Sequence, residues 1–365
     1  MRAGAHNENV LAPTSVTALL GISHPVLQAP MAGAATPELA AAVSAAGGLG
    51  ALGSAVLDPD DLRAQAAAVR AATDAPFNVN FFCHSAPEVG EAEASAARER
   101  IAPLYAGRGL GEPPEAEVPP IGFDEPRLEA LLEIRPAVAS FVFGLPEPAA
   151  VEALRDAEIR VIAAATTVAE AVRLRDLGAD AVIAQGAEAG GHRSSFLVDG
   201  DDGPIGTLAL VPQVVDAVGD LPVIAAGGIA DGRGLAAGLA LGAGAAQVGS
   251  AFLACPESAI DPAHRRAALG AAGERTTITR AFSGRPARAV RNLVTEAFEG
   301  GEALPYPAQL SLTIPLAGSE GDPADVRAMW LGQAAPLARE RPAAELVGSL
   351  VAEAERALVA LSPRA

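Results

Sequence analysis

The stretch PVIAAGGIADGRGLAAGLALGAGAAQVGSAFL, residues 222–253, holds two apolar runs, PVIAAGG (222–228) and AAQVGSAFL (245–253), around a helical segment that starts near Asp231. Neither run alternates, as expected of parallel strands covered on both faces. Residues 234–256 carry no charge and exceed the roughly 20 residues that span a bilayer. Their Ala and Gly are weakly apolar, however, Gly242 and Gly244 break them, and Gln247 lies inside. The segment therefore reads as helix, turn and strand, not as a membrane span.

Working outward, the same unit recurs. Apolar runs VLQAPM (26–31), GLGALGS (48–54), FNVNFF (77–82), SFVFG (140–144), RVIAAA (160–165) and AVIAQG (181–186) precede it, which makes eight strands in all. Helical patterns lie between them. TPELAAAVSAAG offers Thr36 as N-cap, Pro37 in the first turn and Gly47 as a stop, and DPDDLRAQAAAVRAA puts acids first and arginines later, matching the helix dipole. A doubly wound sheet shares this alternation. The count of eight over about 250 residues selects an α/β fold of the (β/α)8 TIM barrel type.

Two stretches interrupt the rhythm: RGLGEPPEAEVPPIG (108–122), rich in Pro, Gly and Glu, reads as a long loop after the third strand, and residues 271–335 read as an insertion after the eighth. The expected division is a barrel over 20–270, a smaller subdomain over 271–335 that walls the substrate pocket, and a C-terminal part over 336–365 whose helix (343–361) packs back on the barrel.

The formal net charge is −18, the chain has no lysine, and no basic run could follow a phosphate backbone. Nucleic acid is therefore an unsuitable partner, and any anionic ligand must be held by local dipoles and donors. Cys83 and Cys255 lack CxxC spacing and fit a reduced, cytoplasmic protein, no metal-ligand pattern stands out, and MRAGAHNENVLAPTS lacks the pattern of a signal peptide.

In a barrel the reactive groups come from the carboxyl ends of the strands. Here those ends carry Pro30 and Met31, Asn80, Gln185, the loop GAEAGGHR (186–193), Gly227 and Gly228, and the run Gln247, Val248, Gly249 and Ser250. AAGGIADGRG and QVGS together form the place where barrels hold a phosphate on bare amides and helix N-termini. Asn80 and Gln185 suit the polar edge of a flat heteroaromatic ring such as a flavin, or else satisfy backbone groups inside the barrel. Gly190 and Gly191 allow close backbone approach to a ligand, and His192 after them can move a proton or hold an anion. Glu188 reads as a local cap or ion-pair partner.

QAPMAGAATPELAAAVSAAGGLGALGS, PFNVNFF, SFVFG, QGAEAGGHR, PVIAAGGIADGRG, QVGSAFL, ITRAFSGRPARAVRN and PYPAQ, in order between about residues 24 and 335, resemble the FMN-dependent nitronate monooxygenases of the first class, formerly 2-nitropropane dioxygenases. The resemblance implies an FMN-bearing barrel that oxidises alkyl nitronates, propionate 3-nitronate among them, with O2 to a carbonyl compound and nitrite. It implies FMN contacts at Asn80, Gln185, Gly190, Gly228 and Gln247 to Ser250, with Pro30 and Met31 lining the ring, His192 as the active-site histidine, Tyr306 in the substrate pocket and Gln333 in a late motif close to the flavin. Ser194 and Ser195 stand where the family has glycine, Ser250 where it has threonine, and PLAGSEGD where it has a more basic stretch that borders the pocket.

The rival on the same scaffold is an FMN- and NAD(P)H-dependent enoyl-acyl carrier protein reductase, which shares the AGGH loop. No nicotinamide fingerprint and no basic patch for an acidic carrier are present. A non-catalytic barrel that binds a phosphorylated ligand is the third reading, and His192 behind two glycines argues against it. A homodimer is compatible with the chain.

Overall fold

A computed structural model describes residues 11–198, 204–270 and 272–361, so most of the N-terminal stretch read for a leader lies outside it. In chain order the strands are β1 (Val26–Gln28), β2 (Gly50–Gly53), β3 (Phe77–Phe82), β4 (Val138–Val142), β5 (Arg160–Ala165), β6 (Ala181–Gln185), β7 (Gly191–His192), β8 (Val223–Ala226), β9 (Ala245–Val248), β10 (Thr276–Thr279) and β11 (Ala287–Val290). Eight of them pair in parallel in the order β1-β9-β8-β6-β5-β4-β3-β2. The ring closes through Leu49, whose amide donates to Val26 O at 3.0 Å and whose carbonyl accepts from Gln28 N at 2.9 Å. The barrel expected from eight apolar runs is the observed fold.

Every expected run carries a barrel strand, but several strands end early. The first stops at Gln28 and the last at Val248, after which Gly249 turns the chain into a short helix, Ser250–Leu253. The fourth starts two residues before the expected run and stops at Val142, because Phe143 takes φ 71°. The helices begin where the sequence offered caps: Thr36 Oγ1 accepts from Leu39 N at 3.0 Å, and Asp58 Oδ1 accepts from the amides of Asp60 and Asp61 at 2.9 and 2.8 Å. Residues 234–256 fold as helix, turn, strand and helix, and among the described residues no helix is long and apolar enough to cross a membrane.

Two layers of apolar side chains hold the barrel. Leu27, Leu49, Val138, Ile162, Ile183 and Ile224 fill its interior, while a larger cluster that includes Leu39, Val79, Phe141, Val161, Leu210 and Leu235 joins strands to helices. A third cluster lies above the carboxyl ends. It combines Phe282, Val294, Leu304 and Leu312 from the insertion with Ala97, Ile101 and Tyr105 from helix Glu91–Gly107, so two distant segments build the smaller body. Tyr105 Oη donates to Leu312 O at 2.8 Å across that seam. The C-terminal helix Ala343–Leu361 lies on helices Gly232–Ala240 and Pro37–Ala45.

Candidate functional site

The carboxyl ends of the strands open into a cavity of about 580 Å3, within the range of small-molecule and cofactor sites. Ala164, Ile183 and Ala226 form its floor, and Pro30, Met31, Asn80, Gln185, Gly190, Gly191, His192, Gly227, Gly228, Gln247, Gly249, Ser250 and Tyr306 all reach it. Val248 and Gln333 do not. Val248 is buried on the outer face of the barrel, with its carbonyl accepting from Ala29 N at 2.8 Å. Gln333 is exposed, and its neighbours Gly332 and Ala334 line the cavity while its own amide donates to Glu188 O at 3.0 Å.

The polar strand ends divide into engaged and open groups. Asn80 Nδ2 donates to Ser140 O and Oγ at 3.1 and 2.9 Å. Gln185 Nε2 donates to His192 O at 3.0 Å and its Oε1 accepts from Ser194 N at 3.0 Å, so this side chain fixes the segment that bears the histidine. Gln247 Oε1, by contrast, is buried with no donor. A buried acceptor without a partner is unfavourable by about 1–3 kcal/mol, and a ligand N–H or O–H would relieve it.

His192 belongs to a strand, not to the loop that the sequence suggested. β7 pairs antiparallel with β11, opposing His192 to Ala287 and Gly191 to Arg288, and β10 completes this small sheet. The glycines serve the pairing. A Cβ on Gly190 would lie 2.5 Å from Gly332 N, and Gly191 takes φ 75° with open space around it. Gly190 thus also makes a close approach to another part of the chain, at residues 331–332, while it lines the cavity. Glu188 caps helix Thr207–Val218, accepting from Thr207 N at 2.9 Å and from Thr207 Oγ1 at 2.8 Å.

Around the imidazole stand four rings: Trp330, Tyr306, Phe82 and Phe143, with centroids 5.2, 5.5, 5.7 and 6.0 Å away. His192 Nε2 lies 2.9 Å from Ser283 Oγ. Burial, reinforced by the positive charge of Arg285 and by His84, pushes the His192 pKa down from 6.5 to about 3. Burial and Arg285 likewise bring His84 to about 4, and burial raises the Tyr306 phenol well above its usual range. At neutral pH the site thus presents a neutral imidazole and a neutral phenol in an apolar box.

Phe143 is the hub of that box. Its ring contacts Phe82, His84, His192 and Tyr306, and the Arg285 guanidinium stacks 3.7 Å from its centroid. A bulky residue at positive φ carries backbone strain, held here by ring contacts on several sides.

The glycine end differs from expectation in one respect. Gly227 and Gly228 take φ 103° and 72° and line the cavity with Gly249 and Ser250. The first turn of helix Gly232–Ala240, however, is already capped: Asp231 Oδ1 accepts from Arg233 N and Gly234 N at 3.0 and 3.2 Å, and Glu353 Oε2 from the C-terminal helix accepts from Gly232 N at 3.0 Å. Two carboxylates occupy the dipole that the sequence offered to a phosphate. The available amides are those of the glycine turn and of Gly249 and Ser250.

Sequence reasoning left Phe82, Phe143, Trp330 and Ser283 without roles. The two phenylalanines stand in strand runs, where an apolar residue signals only a core, and Ser283 and Trp330 reach His192 by folding of the insertion.

The nitronate monooxygenase family profile matches residues 14–353. The chain is 47% identical to a nitronate monooxygenase of Pseudomonas aeruginosa (92% of this chain, 98% of the relative) and 45% identical to one of Paraburkholderia phytofirmans (93% and 94%). Among solved structures it resembles a nitroalkane oxidase from Streptomyces ansochromogenes, with TM-score 0.86, 39% identity and coverage of 95% and 99%. FabK from Thermotoga maritima is less similar, at TM-score 0.73 and 33% identity over 96% and 99%.

Proposed function

Since the chain belongs to the nitronate monooxygenase family, a family of flavin-dependent oxidoreductases, we propose that its flavin is FMN and that it oxidises alkyl nitronates with O2 to a carbonyl compound and nitrite. The observation that carries this reading is the neutral His192 caged by four rings at one side of a flavin-sized cavity.

The residues present fit the cofactor. Gln247 Oε1, buried without a donor, would accept from the polar edge of the isoalloxazine, in a cavity that Asn80 and Gln185 also line. Gly227, Gly228, Gly249 and Ser250 would hold the phosphate on main-chain amides, and Pro30 and Met31 would flank the ring. When bound, the flavin supplies electron transfer and reaction with oxygen.

The protein's part is to bind and orient an anion without proton exchange. Tyr306 is protonated and can donate through Oη. His192, neutral, can donate one N–H, and Ser283 and Gln185 fix its ring and main chain. A hydrogen bond to a charged group contributes about 1.5–3 kcal/mol, which suits a nitro group bearing one negative charge in an apolar box. An imidazole that protonates only near pH 3 is a weak base, so the substrate arrives as the nitronate and His192 orients it rather than deprotonating a nitroalkane. The free Cys83 and Cys255 support a reducing compartment, the cytoplasm.

The experiment is oxygen uptake by the yellow, FMN-loaded protein on alkyl nitronates without NAD(P)H, with nitrite measured as product. NAD(P)H consumption with an enoyl thioester, and no uptake on any nitronate, would overturn the reading in favour of the reductase.

A further inference from the structure

Outside the cavity, one buried carboxylate ties the helical layer of the barrel to the segment that follows His192. Glu170 lies in the first turn of helix Val168–Asp176 and is fully buried. Its Oε2 accepts from Thr166 N at 2.7 Å, Thr166 Oγ1 at 2.8 Å and Thr167 N at 3.2 Å, where β5 turns into the helix. Its Oε1 accepts from Phe196 N at 2.6 Å and Leu197 N at 3.1 Å, 26 and 27 residues further along the chain. A capping box needs only the bond to the N-cap amide, and glutamate is almost never fully buried unless paired. The second oxygen therefore serves the later segment. That segment meets the site at two points. Arg193, also buried, donates through Nη1 to Gly186 O at 2.6 Å and through Nη2 to Gln185 O at 3.0 Å, which holds the residue next to His192. Further on, the ring of Phe196 rests against the turn after β4: a Cβ on Gly144 would lie 3.7 Å from Phe196 Cδ2, and Gly144 follows Phe143, the hub of the ring box. Ser195 O, between them, accepts from the Arg285 guanidinium that stacks on Phe143.

We propose that Glu170 is a positioning residue for the reaction: its carboxylate braces residues 195–197, which hold Phe143 and thereby the His192 and Tyr306 rings where they receive the substrate. This rests on the nitronate reading above. Glu170 does not line the cavity, so it acts through Phe196. Phe143 needs a brace, because a bulky residue at φ 71° carries strain that a loose neighbour would let relax. A carboxylate suits the place, since an ionised one accepts at both oxygens and both face donors here. An amide instead turns its NH2 toward N–H donors on one side or the other, and breaks that half of the clamp.

The test is oxygen uptake by the FMN-loaded protein on ethyl nitronate, with kcat and KM compared between the unaltered holoenzyme and Glu170→Gln, Phe196→Ala and Thr167→Ala. Glu170→Gln breaks half of the clamp. Phe196→Ala keeps the hydrogen bonds of Glu170 and removes only the ring on Gly144. Thr167→Ala removes the N-cap hydroxyl of the same helix, which accepts from Glu170 N at 3.2 Å, and leaves the clamp in place. In the first two, KM should rise about tenfold, the scale of one displaced hydrogen bond to a charged group, with flavin content unchanged. In Thr167→Ala the Tm should fall with the lost cap while KM stays as it was. The double variant Glu170→Gln/Phe196→Ala should be no worse than the worse single one, because both act on one contact. Should Glu170→Gln fail to fold, Phe196→Ala decides. An unchanged KM in Phe196→Ala overturns the proposal. So does a KM rise in Thr167→Ala equal to that in Glu170→Gln, which would make Glu170 a helix cap, and so do single effects that multiply in the double variant. No uptake by the unaltered holoenzyme on any nitronate instead defeats the reading on which the proposal rests.

Discussion

Two side chains separate substrate chemistry from cofactor chemistry. His192 keeps its neutral form down to about pH 3 because the packing around it disfavours the charged ring and Arg285 and His84 add to this. The pH profile of kcat/KM on a preformed nitronate should therefore be flat from pH 5 to 8; a limb near 6.5 that disappears in His192→Asn would show an exposed, titrating imidazole instead. His192→Phe keeps a ring and loses the donor, and should lower kcat/KM about tenfold to a hundredfold, the value of one hydrogen bond to a charged group, with flavin content unchanged. Gln247 gives two effects of opposite sign. Its Oε1 has no donor in the apoprotein, so Gln247→Leu should raise the apoprotein Tm, by relief of about 1–3 kcal/mol, while weakening flavin binding. Thermal unfolding with and without FMN checks both, and a loss in both measurements would mean that Gln247 is only structural. Residue type alone pointed to His192 and Gln247. It did not reveal that Gln185 spends both ends of its amide on the His192 segment, because that bond depends on how the chain returns after β6.

At the level of elements, the barrel strands were legible because parallel strands buried on both faces must be continuously apolar, and β5, RVIAAA, is such a run. β7 was not legible. Two residues, glycine and histidine, carry no strand propensity, and their partner β11 lies some 95 residues later in sequence. The small sheet exists because Gly190 lets residues 331–332 pass against it and Gly191 bends the chain at positive φ. The two glycines should thus fail differently. Gly190→Ala places Cβ 2.5 Å from Gly332 N, a backbone clash that should unpair β7 from β11 and abolish turnover. Gly191→Ala meets open space and only the αL penalty, roughly 1–2 kcal/mol, so it should fold and keep measurable activity. Circular dichroism, Tm and kcat on the two variants decide this, and equal damage would contradict the assigned reasons.

For the molecule as a whole, the sequence showed the barrel but not the partnership above it, because helix Glu91–Gly107 joins the insertion through Ala97, Ile101 and Tyr105, which any amphipathic surface helix could display. That partnership closes the site over His84 and His192 and ties stability to pH. Both histidines protonate near 6.5 in the unfolded chain, and near 4 and 3 in the folded one. Below 6.5 the unfolded chain takes up protons that the folded one refuses, so their contribution is complete above that pH. It falls as pH drops toward 4 and 3, and is lost below. With both groups engaged the slope reaches up to about 2.7 kcal/mol per pH unit between 6 and 4, before any discount for partial exposure. Carboxylates shape the acid limb of a chain with net charge −18 as well, so the histidine share must be read as a difference between variants. His84→Gln with His192→Gln should move the acid-unfolding midpoint of the apoprotein to lower pH, since neither amide has a proton to gain. Coincident acid-unfolding curves for the two proteins, followed by tryptophan emission from Trp330 beside His192, would show that water reaches both imidazoles and that the box is not closed.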